Sequence, residues 1–171
     1  MTVDSIIDHC RNFQGFSRKN QLGELLRIFG DFSLEDAGLI EINGSFVVAS
    51  TDGIVEDLVK HDPFLAGFYS VVVNVNDVVA KGAVPVGYMY VMASKISDTR
   101  LKMAKGVKAG LDVYGLSLLK GHTHPDQSCD SIDGAVIGLA KRVIQSCGAK
   151  ADDKILAAID LDGTATCEFL P

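Results

Sequence analysis

Residues 62–82 read Asp62-Pro63-Phe64-Leu65-Ala66-Gly67-Phe68-Tyr69-Ser70-Val71-Val72-Val73-Asn74-Val75-Asn76-Asp77-Val78-Val79-Ala80-Lys81-Gly82. Asp62 can cap a helix, and Pro63 suits the first helical position, where a missing N–H costs nothing. Phe64, Leu65, Phe68, Val71, Val72, Val75, Val78 and Val79 then form a broad apolar face at helical spacing. Valine lowers helix propensity, but the period and the start signal outweigh it. The helix is expected to end near Lys81-Gly82. Val84 to Ala93 follows at once, and its alternation Gly87-Tyr88-Met89-Tyr90 reads as a buried strand.

Working outward, Leu22, Leu25, Leu26 and Phe29 predict a short helix stopped at Gly30, after a polar stretch from His9 to Asn20. Gly38–Ile42 and Ser45–Thr51 flank Asn43-Gly44, a strong hairpin signal, and the second strand delivers Asp52-Gly53. Downstream, Ser97-Asp98 is expected to cap a helix carrying Leu101, Ala104, Val107 and Leu111, which ends at Tyr114-Gly115. Leu116–Lys120 reads as a short strand running into Gly121-His122-Thr123-His124-Pro125-Asp126, a stretch expected to be irregular. Ile132–Ile144 reads as a long strand, and Ile155–Ile159 as a further one. The order β-β-α-β-α-β-β is α/β (or α+β), without internal repeat.

The 171 residues are 47% hydrophobic and 22% charged, enough to build a core. Twenty-two acidic against sixteen basic residues give a net charge of −6, and the basic residues are scattered, which argues against nucleic-acid binding. Asn74, Asn76 and Asp77 interrupt the apolar run Phe64–Ala80, which argues against a membrane span. The N-terminal ten residues carry two acidic and no basic groups, unlike a signal peptide, so a soluble cytoplasmic protein is expected. Cys10, Cys129, Cys147 and Cys167 lie far apart and read as free thiols.

Asp36, Asp52 and Asp77 fall at or near the ends of elements, and Asn74 and Asp77 share a helix face. Converging carboxylates can hold Mg²⁺, which prefers oxygen ligands and bridges to phosphates. The alternative is that Asp52 caps a turn and Asp77 is a solvated edge of its helix. His122, His124, Asp126 and Cys129 form a second candidate, either a partial zinc set or a polar loop near phosphates. Nucleotide fingerprints of the form G-x-x-x-x-G-K-[ST] or G-x-G-x-x-G, and the hydrolase G-x-S-x-G, are absent from the sequence.

Three ordered motifs then converge. Ser50-Thr51-Asp52-Gly53, Asn76-Asp77 running to Lys81-Gly82-Ala83-Val84-Pro85, and Gly121-His122-Thr123 resemble the T-T-D, N-D-x-x-x-x-G-A-x-P and G-G-[HD]-T pattern of the aminoimidazole ribonucleotide (AIR) synthetase superfamily. That superfamily includes thiamine-monophosphate kinase, selenophosphate synthetase and the hydrogenase maturation factor HypE. Gly15-Phe16-Ser17-Arg18-Lys19 is similar to the AIR synthetase-related proteins of methanogenic archaea. His122 stands where the kinase-like members carry Asp.

The resemblance implies an ATP-binding N-terminal domain over residues 31–149, preceded by an arm and helix (1–30) and followed by the start of a truncated C-terminal domain (150–171). It implies a mixed four-stranded sheet with helices on one face, dimerising through the sheet into a homodimer. ATP and Mg²⁺ are the implied cofactors, with Asp36, Asp52 and Asp77 as Mg²⁺ ligands. Lys19, Asn76, Gly121, His122 and Thr123 are the implied contacts to ATP and its phosphates. The expected activity is ATP-dependent phosphorylation or activation of a small-molecule substrate, with no nucleic acid or membrane as partner. A non-catalytic dimeric assembly module that retains the fold is the alternative.

Overall fold

The computed structural model describes residues 2–17, 22–30 and 35–159. The elements in chain order are α1 (Val3–Asn12), α2 (Gln14–Ser17), α3 (Gly23–Phe29), β1 (Gly38–Ile42), β2 (Ser45–Gly53), α4 (Glu56–His61), α5 (Pro63–Ala80), β3 (Val84–Ala93), α6 (Ser97–Tyr114), β4 (Ser117–His124) and β5 (Ser131–Ala140). The strands form one mixed sheet in the order β1-β2-β5-β3-β4. β3 and β4 are parallel and joined through α6, and every other pairing is antiparallel.

The β1–β2 hairpin turns through Asn43 and Gly44, both at positive φ (51° and 72°), the geometry that an Asn-Gly pair adopts cheaply. α5 begins as its sequence dictates: Asp62 Oδ1 accepts the Leu65 N–H at 2.9 Å, and Pro63 occupies the first turn. α5 lies on β2, β3 and β5, with α6 packed alongside it. Val71, Val75 and Val78 of α5 are buried with Val48, Tyr88, Ile132 and Val136 of the sheet and Met103, Val107 and Leu111 of α6. Each such side chain removed from water contributes about 1.5–3 kcal/mol. α5 is long and apolar enough to cross a membrane, but here its apolar stripe is the centre of the core.

α4, α5 and α6 cover one face of the sheet, and alternation leaves the other, open face free of them. Across the open face, register aligns Ile40, Val47, Leu139 and Val84 in one row spanning four strands. Ile40, Leu139 and Val84 are 59%, 49% and 68% exposed.

Several expectations need correction. The sheet has five strands rather than four, because the hairpin adds β1 as a full edge strand. β4 continues through Gly121-His122-Thr123 to His124, since pairing with β3 carries that stretch to Ala93. β5 stops at Ala140, at the end of the sheet where its antiparallel neighbours β2 and β3 begin. Ile155–Ile159 forms no strand; with no partner among the described residues to pair its backbone, it is irregular, with Ile155 96% and Leu156 92% exposed. The polar stretch from His9 is partly helical: α1, capped by Thr2, whose side chain accepts the Ser5 N–H at 3.2 Å, runs into it as far as Asn12, and α2 lies within it.

Candidate functional site

Pairing of Gly38 with Ala49 places the residues just before β1 beside the end of β2, so Asp36 and Asp52 come to the same end of the hairpin. Asp52 shares a strand face with Ser50 and Val48, the face covered by α5. Asp77, in the last turn of α5, meets that face: Ser50 Oγ donates to Asp77 Oδ2 at 2.8 Å. Asp77 is half-buried, whereas Asp36 and Asp52 are exposed. Burial pushes the Asp77 carboxyl above its ordinary range; the Ser50 hydroxyl opposes the shift, and the charges of Asp52 and Asp36 add to it. Asp36 and Asp52 thus both lie near enough for their charges to bear on Asp77.

A cation would relieve that crowding of negative charge. Among the described residues no three His, Cys, Asp or Glu side chains close into a preformed cage. Asp36 and Asp52 do present exposed carboxylate oxygens, the donor type Mg²⁺ takes, and Mg²⁺ keeps several waters and is usually held by one or two carboxylates together with phosphate oxygens. The donor set fits a metal shared with an anionic ligand.

Beside the carboxylates lies an ion pair that the sequence did not advertise. Lys81, the C-cap residue of α5, is 2% exposed, and its Nζ donates to Glu35 Oε2 and lies 3.7 Å from Asp36 Oδ2. Glu35 Oε1 also accepts the Ser146 N–H at 3.2 Å and the Ser146 hydroxyl at 2.8 Å. The Lys81 ammonium and then Ser146 hold the Glu35 carboxyl below its ordinary range, and Glu35 in turn raises Lys81. Both groups stay charged near neutrality. Lys81 stands in the second quoted motif, but no sequence signal pairs it with Glu35, forty-six positions earlier.

Under Asp77 the core is polar. Tyr88 Oη and Ser70 Oγ are 2.6 Å apart, Ser70 Oγ reaches the Gly67 carbonyl at 2.7 Å, and Asn74 Nδ2 donates to the Ser70 carbonyl at 2.9 Å. Burial pushes the Tyr88 hydroxyl up to about 12, so it stays protonated. Asn74 is fully buried, and its Oδ1 has no partner. Asn74 thus belongs to the core rather than beside Asp77, and the exposed Asn76 is the asparagine that reaches solvent near the carboxylates.

The β4 residues stand apart. Register runs Asp52–Gly134–Tyr90–Gly121 across the sheet, so Gly121 is three strands, about 14 Å, from Asp52. A side chain at 121 would strike the Tyr90 ring, with a Cβ only 2.5 Å from Cζ. His122 pairs with Val91 and faces the open side of the sheet, in a shallow cavity with Thr51, Met89, Lys120 and Asp133. Thr123 pairs with Met92 and alternates to the helix side. His122 and His124 rings are edge-on at 4.5 Å, while exposed Cys129 Sγ contacts Gln127, and among the described residues no third ligand completes a zinc set there. Lys19 lies outside the described residues.

Residues 34–140 match the family profile described as AIR synthase related protein, N-terminal domain. An uncharacterised protein of Methanocaldococcus jannaschii is 35% identical over 178 residues, covering 95% of this chain and 55% of its own length. Thiamine-monophosphate kinase of Pyrococcus abyssi is 30% identical, covering 80% of this chain and 46% of the kinase. The chain spans about half the length of these curated relatives. Among solved structures, AaThiL complexed with AMPPCP and TMP superposes with a TM-score of 0.68 at 18% identity, covering 76% of this chain and 44% of that one. Thermotoga maritima PurL complexed with ATP gives 0.57 at 14%, covering 62% of this chain and 20% of that one. These likenesses establish the fold.

Proposed function

Because the chain belongs to the AIR synthase related protein family through that family's N-terminal domain, we propose that it binds ATP with Mg²⁺ and serves an ATP-dependent phosphorylation or activation of a small molecule. The observation that carries this reading is the convergence of three carboxylates, Asp36 and Asp52 at one end of the β1–β2 hairpin and Asp77 of α5 held against β2 by Ser50. The relatives and structural neighbours that include a kinase and proteins solved with ATP or an ATP analogue support the ligand. Mg²⁺ would neutralise the triphosphate and let it approach a site already rich in carboxylates.

The chain's own residues then have separable tasks. Asp52 and Asp36, both exposed, offer oxygens to the metal. Asp77 completes the set from the helix side, and Ser50 fixes its orientation by engaging Oδ2 and leaving Oδ1 free. Asn76 contacts the phosphates from the exposed side of α5, and Lys19, outside the described residues, is a further contact to ATP. Catalysis is by positioning and charge neutralisation, without a covalent intermediate on the protein.

Gly121, His122 and Thr123 engage a different part of an extended ligand, given their distance from the carboxylates. The open face of the sheet, with its row Ile40–Val47–Leu139–Val84, pairs with a second copy. This placement brings His122 of the open face to the same interface. A dimer that assembles through this face without using nucleotide is the competing reading, favoured only by the apolar row itself.

Thermal denaturation tests the proposal. Saturating ATP with Mg²⁺ should raise the unfolding midpoint of the wild type, because a ligand that binds only the folded state stabilises it. Asp52→Asn should abolish that rise. A midpoint unmoved by Mg-ATP in a folded wild type would leave the assembly reading in place.

A further inference from the structure

We propose that Lys81 is a positioning residue for Asp36: its buried ammonium clamps Glu35 and thereby holds the next residue, Asp36, out towards the metal. This rests on the reading of Asp36, Asp52 and Asp77 as a Mg²⁺ site. The side chain of Lys81 is 3% exposed and that of Glu35 8%, whereas that of Asp36 is 59% exposed. One side of a single peptide unit is therefore anchored inside the protein and the other presented to solvent.

The arrangement is costly unless it serves a purpose beyond filling space. A lysine with almost no exposure must be paired, because an uncompensated buried charge is strongly unfavourable. Here the partner is not a residue of the same helix but the segment entering β1, forty-six positions earlier in the chain. The residues before β1 have no strand partner of their own, since the hairpin ladder begins at Gly38. Their placement comes from side chains. Lys81 supplies the ammonium, and Ser146 supplies an N–H and a hydroxyl to Glu35.

The Lys81 end of the clamp is rigid as well. Its backbone N–H donates to the Val78 carbonyl at 3.2 Å, and its own carbonyl accepts the Ile144 N–H at 3.0 Å. Asp77 lies four residues earlier on the same helix. Lys81 therefore ties Asp36 and Asp77 to one frame and sets the spacing between two of the three carboxylates. Its Nζ, 3.7 Å from Asp36 Oδ2, attracts that carboxylate without forming a hydrogen bond to it. Asp36 remains free to turn to a metal.

A lysine that only stabilised the entry to β1 would leave metal affinity alone once the protein is folded. The test is the affinity for Mn²⁺ alone, read from the electron paramagnetic resonance signal of the free ion. It uses the wild type, Asp36→Asn, Lys81→Met, Lys81→Arg and the double variant Lys81→Met/Asp36→Asn, each checked for folding by circular dichroism. Loss of a group that orients a metal ligand costs about 10- to 100-fold in affinity. Lys81→Met should weaken Mn²⁺ by that factor, Lys81→Arg should retain most of it, and the double variant should bind no worse than Asp36→Asn.

Glu35→Gln releases the same clamp from its other end and should weaken Mn²⁺ in the same direction, whatever Lys81→Met does to folding. Folded Lys81→Met and Glu35→Gln proteins with wild-type affinity would overturn the proposal. So would full additivity of Lys81→Met with Asp36→Asn. A wild type that binds no Mn²⁺, or Asp variants that bind as it does, would instead remove the metal site itself and the proposal with it.

Discussion

Gly134 is the residue on which the candidate site rests mechanically. It lies in β5 opposite Asp52 on one side and Tyr90 on the other, directly beneath α5. A Cβ built there would fall 2.6 Å from the Ser70 carbonyl oxygen, 2.8 Å from the Tyr88 ring and 2.9 Å from Asn74 Nδ2. The first contact is roughly 0.8 Å short of ordinary packing distance and involves the backbone of α5, which cannot swing aside as a side chain would. Gly134→Ala must lift α5 from the sheet. Overpacking of this kind costs about 1–3 kcal/mol. Disruption of the Ser70–Tyr88 hydrogen bond adds about 1 kcal/mol.

The combined loss of about 2–4 kcal/mol is a large share of the 5–15 kcal/mol that holds a typical domain together. For a chain of this size it corresponds to a fall in unfolding midpoint on the order of 10 °C. Thermal and urea unfolding followed by circular dichroism would measure it. Gly148→Ala, where an added Cβ meets nothing within 4 Å, is the control and should stay within about 0.5 kcal/mol of the wild type. A Gly134→Ala protein as stable as that control would refute the close α5–β5 contact and the placement of Asp77 that depends on it.

Asp77→Asn should be more stable than the wild type at neutral pH while losing Mg²⁺ affinity. The folded-state pKa of Asp77 is raised above its ordinary 3.8, so the native state holds the proton longer than the unfolded chain does. Its contribution to stability is therefore greatest below 3.8 and declines as pH rises through the window above that value. Urea unfolding at a series of pH values should show this decline in the wild type and its loss in the variant; parallel profiles would contradict it. Leu139→Asp places a charge in the middle of the row Ile40–Val47–Leu139–Val84 on the open face. Sedimentation velocity should show a dimer for the wild type and a folded monomer for the variant, and a monomeric wild type would count against pairing through the sheet.

Much of the fold was legible because local signals agreed with it. Asp62-Pro63 started α5, Asn43-Gly44 turned the hairpin, and Gly115, at φ +64°, ended α6 where the apolar period stopped. The run Gly121-His122-Thr123-His124 misled because its polar composition reads as a loop. Non-local pairing with β3 makes it a strand, and no sequence window contains that partner. Ile155–Ile159 misled in the opposite sense: an apolar run has strand propensity, but without a neighbour it stays irregular. Asp52 and Asp77 could be named from motifs that also contain Ser50 and Lys81, but nothing in those motifs pairs Ser50 with Asp77 or Lys81 with Glu35. Those pairings arise from contacts across 27 and 46 residues of sequence.

The most direct test of the central claim is calorimetric titration of the protein with ATP, with and without Mg²⁺, for the wild type and Asp52→Asn. Saturable binding that requires Mg²⁺ and disappears in Asp52→Asn is the predicted result. Binding that is equally strong without Mg²⁺, or that survives in a folded Asp52→Asn protein, would contradict the assignment of the carboxylates to a shared metal and nucleotide site.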